Sequence, residues 1–173
     1  STAHSVFSCR PWKGVPFFVH ATNGVLKTRD AASSDSTVVK EHITTSVRNA
    51  VGVFLLGASE GVGDRDVLSV GRVTYVYDDG SEAVGNVMFR DQYLYKEMLE
   101  LDTDWAGLEY ASDWHSIYSV LDGELVEYNL DVIYHSIPQG NIINIIFEDD
   151  PDEGDDSTNS PMWIYGITVA TEP

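Results

Sequence analysis

Between Ser69 and Phe89 the chain alternates: Val73, Tyr75 and Tyr77 fall on one stride, Arg72, Thr74 and Val76 on the other. A period of two is the mark of a strand, whose successive side chains leave opposite faces of the sheet. Asp78-Asp79-Gly80 then predicts a turn, because glycine accepts positive φ and aspartate can hydrogen-bond its own backbone. The chain returns through Val84, Val87 and Phe89, so the whole stretch predicts a β-hairpin.

The rest of the chain has the same character. Phe7, Trp12, Val15 and Phe17 to Val19 are interrupted by Pro11, Gly14 and Pro16, which predicts extended chain or an edge strand, since proline has no N–H for a ladder. Val25 to Arg29 predicts a short extended run, and His42 to Val47 and Val51 to Leu56 predict two strands, the second apolar on both strides and so buried between layers. Gly57 to Asp66, with its glycines, predicts a mobile connection. Leu125 to Tyr134 alternates again: Val126, Tyr128, Leu130, Val132 and Tyr134 form an expected core face, while Glu127, Asn129 and Asp131 form an expected wet one. Pro138-Gln139-Gly140 predicts a turn, and Ile142 to Phe147 a central strand. Trp163 to Val169 closes the pattern, with Trp163 expected in the core. Many short strands and frequent turn signals predict an all-β fold, a β-sandwich or jelly roll, as one domain over residues 1–173.

Arg90 to Ser116 departs from this rhythm. It lacks clean alternation and is rich in aromatics, so it predicts an excursion from the sheet, with one short helical turn at Tyr95, Met98 and Leu99 behind an Asp91 cap. Glu148 to Ser160, EDDPDEGDDSTNS, predicts an exposed loop, because so many adjacent carboxylates require water or a cation between them.

Charge narrows the partners. The net charge is −18, a field that repels nucleic-acid phosphates and anionic membrane surfaces and favours cations and neutral ligands. Solubility in salty or extracellular surroundings explains such acidity equally well. No apolar run approaches the ~20 residues of a membrane helix. The single cysteine, Cys9, has no intrachain partner and no neighbouring base, and reads as a small apolar group. The chain opens at Ser1 without a signal peptide, as expected of a segment cut from a longer polypeptide.

Several stretches in order, GVPFFV at Gly14–Val19, AVGVFLLGA at Ala50–Ala58, VGRVTYVYDDGS at Val70–Ser81, NIINIIFED, and WIYGITV at Trp163–Val169, resemble galactose-binding-domain-like β-sandwiches. They are similar in particular to the non-catalytic modules appended to large secreted bacterial glycoside hydrolases. Such modules often carry a Trp-rich segment after the hairpin and a W-x-NP-x-P segment before the isoleucine-rich strand. Here those places hold Arg90-Asp91-Gln92-Tyr93 and Tyr134-His135-Ser136-Ile137-Pro138, so any binding site is this chain's own. The resemblance implies a secreted carbohydrate-binding module that recognises a polysaccharide, of galactose or marine type, and targets an attached catalytic domain. It needs no cofactor, although modules of this kind often hold a structural calcium.

A sugar offers flat C–H faces rimmed by hydroxyls, so its site needs an aromatic platform flanked by planar or charged hydrogen-bonding groups. Arg90 to Tyr118 supplies both: Trp105 and Trp114 as platforms, with Arg90, Asp91, Tyr95, Asp104, Glu109, Asp113 and His115 beside them. The same two indoles could instead plug one end of the sandwich. Trp12, near Arg10 and Lys13, is a second platform candidate. Asp149, Asp150, Asp152, Glu153, Asp155 and Asp156 have enough oxygens for calcium but not the EF-hand spacing. The five histidines are scattered and lack a zinc-site pattern. No serine elbow, Cys-His arrangement or phosphate-cradling loop is present, so the expectation is a binding module and not an enzyme. Two rivals stand beside it: a structural spacer packed on a catalytic domain, and a polysaccharide hydrolase or lyase.

Overall fold

The structure is a computed structural model that describes residues 6–7, 15, 17, 19–20, 26–28, 40–59, 71–87, 89, 109–121, 124–149 and 162–173. Every regular element among these residues is a strand: β1 (Val6–Phe7), β2 (Val19–His20), β3 (Leu26–Lys27), β4 (Lys40–Ala58), β5 (Gly71–Tyr77), β6 (Glu82–Val87), β7 (Glu109–Leu121), β8 (Glu124–Asp149) and β9 (Trp163–Thr171). The first two form a small sheet, and the other seven an antiparallel sheet in the order β3-β9-β4-β8-β5-β6, with β7 also on β8. The all-β expectation holds.

The hairpin forms as its pattern predicts. Val76 pairs with Glu82 and Gly71 with Val87. Val73, Tyr75 and Tyr77 are buried, whereas Arg72 on the other stride is exposed. At the turn the Gly80 N–H donates to the Tyr77 carbonyl (3.0 Å) and the Tyr77 N–H to the Ser81 carbonyl (2.9 Å). Gly80 sits at φ 85°, where a side chain would be strained. The Asp79 carboxylate accepts from both N–H (2.8 Å) and Oγ (2.6 Å) of Ser81, and these hydrogen bonds hold its pKa below the ordinary value.

Two long strands organise everything else. The two strands expected within 42–56 are one, β4, with register shifts between Thr44 and Gly52. Likewise Pro138-Gln139-Gly140 is no turn but a bend inside the continuous strand β8. The first half of β8 pairs with β7 and the second half with β5, while β4 follows its other edge from Asp131 to Glu148. Tyr75 pairs with Ile145, yet its hydroxyl lies 2.8 Å from Nδ1 of His135, ten residues earlier on that same strand. A straight strand would separate them by about 30 Å, so β8 must double back, and the sheet curls until its halves face each other.

A polar node marks the bend. The Asn141 amide donates to the Asp78 carboxylate (2.8 Å), and its oxygen accepts the Asn49 N–H (3.1 Å). Asn49 has φ 52°, a left-handed conformation that asparagine tolerates well. Nearby the Tyr77 ring rests over Gly140, where a Cβ would come within 2.4 Å of it, and its hydroxyl donates to the Pro138 carbonyl (2.7 Å).

The main core fills the space inside the curl. Val53, Leu55, Val73, Tyr75, Phe89, Ile133, Ile142, Ile145, Phe147 and Met162 belong to it. Each such side chain gains on the order of 1.5–3 kcal/mol by leaving water. A second cluster, Phe17, Leu56, Ala58, Leu130 and Val132, covers the opposite face of the first half. Both faces of β8 are therefore buried there, which corrects the expectation of a wet face: Asp131 is only 2% exposed and Ile133 fully buried. Trp163 is buried, as its strand pattern requires, with the Lys27 ammonium 4.3 Å from its ring centre.

Candidate functional site

Of the expected sugar-site residues, Arg90, Asp91, Tyr95, Asp104 and Trp105 lie outside the described residues, as does Trp12. Asp113, Trp114 and His115 lie on β7, an extended strand where an excursion was expected. Glu109 begins the same strand. The register sets Trp114 opposite Asp131, Asp113 opposite Val132 and His115 opposite Leu130. Adjacent positions in a pleated strand belong to opposite faces, so Trp114 occupies a different face position from its two neighbours.

Of the calcium candidates, only Asp149 is described. It ends β8 and is 1% exposed, so it does not belong to a wet loop. Glu148, also expected in that loop, sits on β8 between Lys40 of β4 and Arg72 of β5, its register partners. It pairs with both, at 2.9 Å and 3.0 Å. Partial burial alone would raise the Glu148 pKa, but the hydrogen bond from Lys40 and the charges of Arg72 and Lys40 hold it below the ordinary carboxylate range. Among the described residues no three His, Cys, Asp or Glu side chains gather as a metal site would require.

The most unusual polar group in the interior is His135, which is fully buried. Its Nε2 lies 2.9 Å from the Asn86 carbonyl, which can only accept, so Nε2 carries the proton. Nδ1 is then the acceptor, and the Tyr75 hydroxyl donates to it. The rings meet edge on, with centroids 5.9 Å apart. Gly85 makes room for the imidazole, since a Cβ there would come within 2.8 Å of it. Burial pushes the His135 pKa down to about 4, against a smaller upward pull from the Asn86 carbonyl. Burial likewise pushes the Tyr75 phenol well above its usual value, with Tyr77 adding to the effect. Both groups are held neutral, as a polar clasp between the two halves of the sheet. A proton-transfer role at neutral pH would need a pKa near 7 and access to substrate; His135 has neither.

The outer face of the first half holds the other arrangement of interest. Phe54 of β4 and Tyr134 of β8 are register partners, and their rings lie 4.6 Å apart, tilted by 37°. Both are half-buried, as is Tyr165, and they border the second apolar cluster. Thr168 pairs with Phe54 from the β9 side, and one step along β8 lies Ser136, both half-buried. The result is two partly open rings beside two hydroxyls on a sheet face. Sequence pattern alone assigned both rings to strand interiors. The signal that could have found them is the two-sided apolarity of β4, whose second face needed a cover, which is supplied partly by Phe17 and Val15, with these rings half-buried at its border.

No protein-family model matches this chain, and no curated protein matches it.

Proposed function

We propose that this chain is a non-catalytic carbohydrate-binding module, of the galactose-binding-domain-like β-sandwich type, that holds an attached polysaccharide-degrading enzyme on its substrate outside the cell. The observation that carries this reading is the Phe54–Tyr134 pair, 4.6 Å apart and half-exposed beside Thr168 and Ser136. Aromatic faces meet sugar C–H faces, and hydroxyls alongside meet sugar hydroxyls. The curl of the antiparallel sheet and the order of the sequence motifs support the fold assignment. Binding then acts through effective concentration: tethering a catalytic domain near a polymer raises encounter without chemistry. Trp105, Trp114, Arg90, Asp91, Tyr95, Asp113 and His115 remain part of the proposal as a second contact region, and a calcium near the acidic segment as a structural addition.

A glycan array tests the reading, with Trp105→Ala and Trp114→Ala beside wild type. Binding of at least one polysaccharide-derived glycan is expected, weakened in one of these variants if the second region contributes. Assay of reducing-end release by the isolated chain separates a binder, which yields none, from a hydrolase.

A spacer role has an observation of its own. On the outer face of the second half, Val84 and Ile143 are 45% and 42% exposed, and the row His42, Ile146, Thr74, Val84 crosses four strands in register. Exposed apolar side chains such as these suit packing against a neighbouring domain. A chain that binds no glycan but associates with a catalytic domain through Val84 would fit that role.

A further inference from the structure

Gly52 lies on β4 two residues before Phe54, so the two share a face, and it pairs with Ser136 on one side and Ala170 on the other. It is buried, and what covers it is the Tyr134 ring: a Cβ at position 52 would fall 2.5 Å from Cε2, 2.6 Å from the hydroxyl and 2.9 Å from Cζ. Real Cβ contacts do not approach so closely, so the hydroxyl end of the phenol occupies the space a side chain at position 52 would take. Phe54 holds the ring from its other neighbour. The position of Tyr134 is thus set by a missing side chain.

Resting on the carbohydrate reading above, we propose that Gly52 is the positioning residue of the saccharide platform and that the platform takes one uncharged pyranose unit of a neutral glycan. Only with glycine at position 52 can the phenol keep its present place against Phe54, 4.6 Å from that ring. Any β-carbon lifts the ring and tilts it across the space the sugar occupies. The ligand class follows from charge. Among the described residues, the register neighbours Ser136, Thr168 and Ala170 are uncharged and Glu109, paired with Ser136, is acidic, and the chain carries −18 overall, so a sulfated or uronic polymer meets repulsion.

The test compares Gly52→Ala with wild type by two readouts. The first is the proton NMR spectrum of the Phe54 and Tyr134 rings without ligand, where G52A is expected to shift both through the altered ring-current geometry. The second is affinity for a neutral oligosaccharide and for a sulfated one of the same backbone. G52A is expected to lose roughly tenfold in affinity for the neutral glycan, the size of one aromatic contact of about 1.4 kcal/mol, with its urea midpoint showing a folded chain. Unmoved ring resonances, or unchanged affinity in a folded G52A, overturn the role of Gly52 while leaving the carbohydrate reading intact. Preference for the sulfated glycan overturns the ligand class. No binding by wild type overturns the carbohydrate reading, and the ring shifts then still report whether Gly52 sets Tyr134. Should G52A not fold, wild type carries the test: the neutral oligosaccharide must shift the Gly52 amide together with both rings, and an unmoved Gly52 amide rejects the proposal.

Discussion

Acidification should weaken this fold through His135, and by an amount the structure sets. In the unfolded chain a histidine takes its proton near pH 6.5; in the folded chain His135 resists until about pH 4. Between these values the unfolded state binds more protons, so stability rises with pH and is lost as pH falls from 6.5 towards 4. Below about 4 the native imidazole protonates too, and the loss levels off. Moving the pKa from 6.5 to about 4 corresponds to roughly 3 kcal/mol, a large part of the 5–15 kcal/mol that typically separates folded from unfolded. The cause is specific. Protonation would place a charge in the interior and a second N–H on Nδ1, which now accepts from Tyr75. Urea unfolding at half-unit steps from pH 7.5 to 4.5 measures the loss. The same series on His135→Gln, whose amide can donate and accept without titrating, removes contributions from the other histidines and the carboxylates. The difference between the two curves should grow by up to about 1.4 kcal/mol per pH unit below 6.5. Parallel curves for the two proteins, or a His135 ring that titrates near 6.5 by NMR, would refute the reasoning.

Other expectations are simpler. Tyr75→Phe leaves Nδ1 of a buried histidine without its donor and should cost about 1–3 kcal/mol by denaturant unfolding, whereas a cost near zero would mean that the clasp is not formed. Gly80→Ala has open space around the new methyl, so only the left-handed backbone is strained; a loss of about 1 kcal/mol is expected, read as a fall of about 2–4 °C in Tm. Glu148→Gln breaks both cross-strand ion pairs near the surface, and should cost less than about 1 kcal/mol, with most of that difference gone in about 1 M salt.

How much of this was legible in the sequence depends on which physical constraint each residue answers to. The 71–87 hairpin was readable because its alternation and its Asp-Asp-Gly turn are both local, and Ile142 to Phe147 because a nearly continuous run of isoleucine is the composition of a central strand, although Ile143 is 42% exposed. Strand β7 was not readable. EYASDWHSIYSVL places polar residues on both strides, and its pairing with β8 is decided by the partner; the local clue was Asp122-Gly123, all that separates the paired residues Leu121 and Glu124 and a favoured two-residue hairpin connection. Pro138-Gln139-Gly140 looked like a chain reversal because the composition of a bend and that of a turn are the same. What distinguishes them is Ala50 on the neighbouring strand, which pairs with Gly140 and keeps β8 in the sheet. Asp131 looked wet because it alternates with an apolar stride; it is interior, as is His135, because the curl brings a second layer over them. The Phe54–Tyr134 pair was hidden for the converse reason, since nothing local distinguishes a core aromatic from one left partly open by its cover. The expected platform residues Trp105 and Arg90 lie outside the described residues.

The central claim, that the outer-face rings of the curled sheet hold a sugar, is tested most directly by affinity electrophoresis through gels containing neutral polysaccharides. Wild type should be retarded by at least one polymer, and Phe54→Ala/Tyr134→Ala should migrate as in a polymer-free gel while keeping a cooperative unfolding transition. Equal retardation of the two proteins, or none of wild type across the panel, would contradict it.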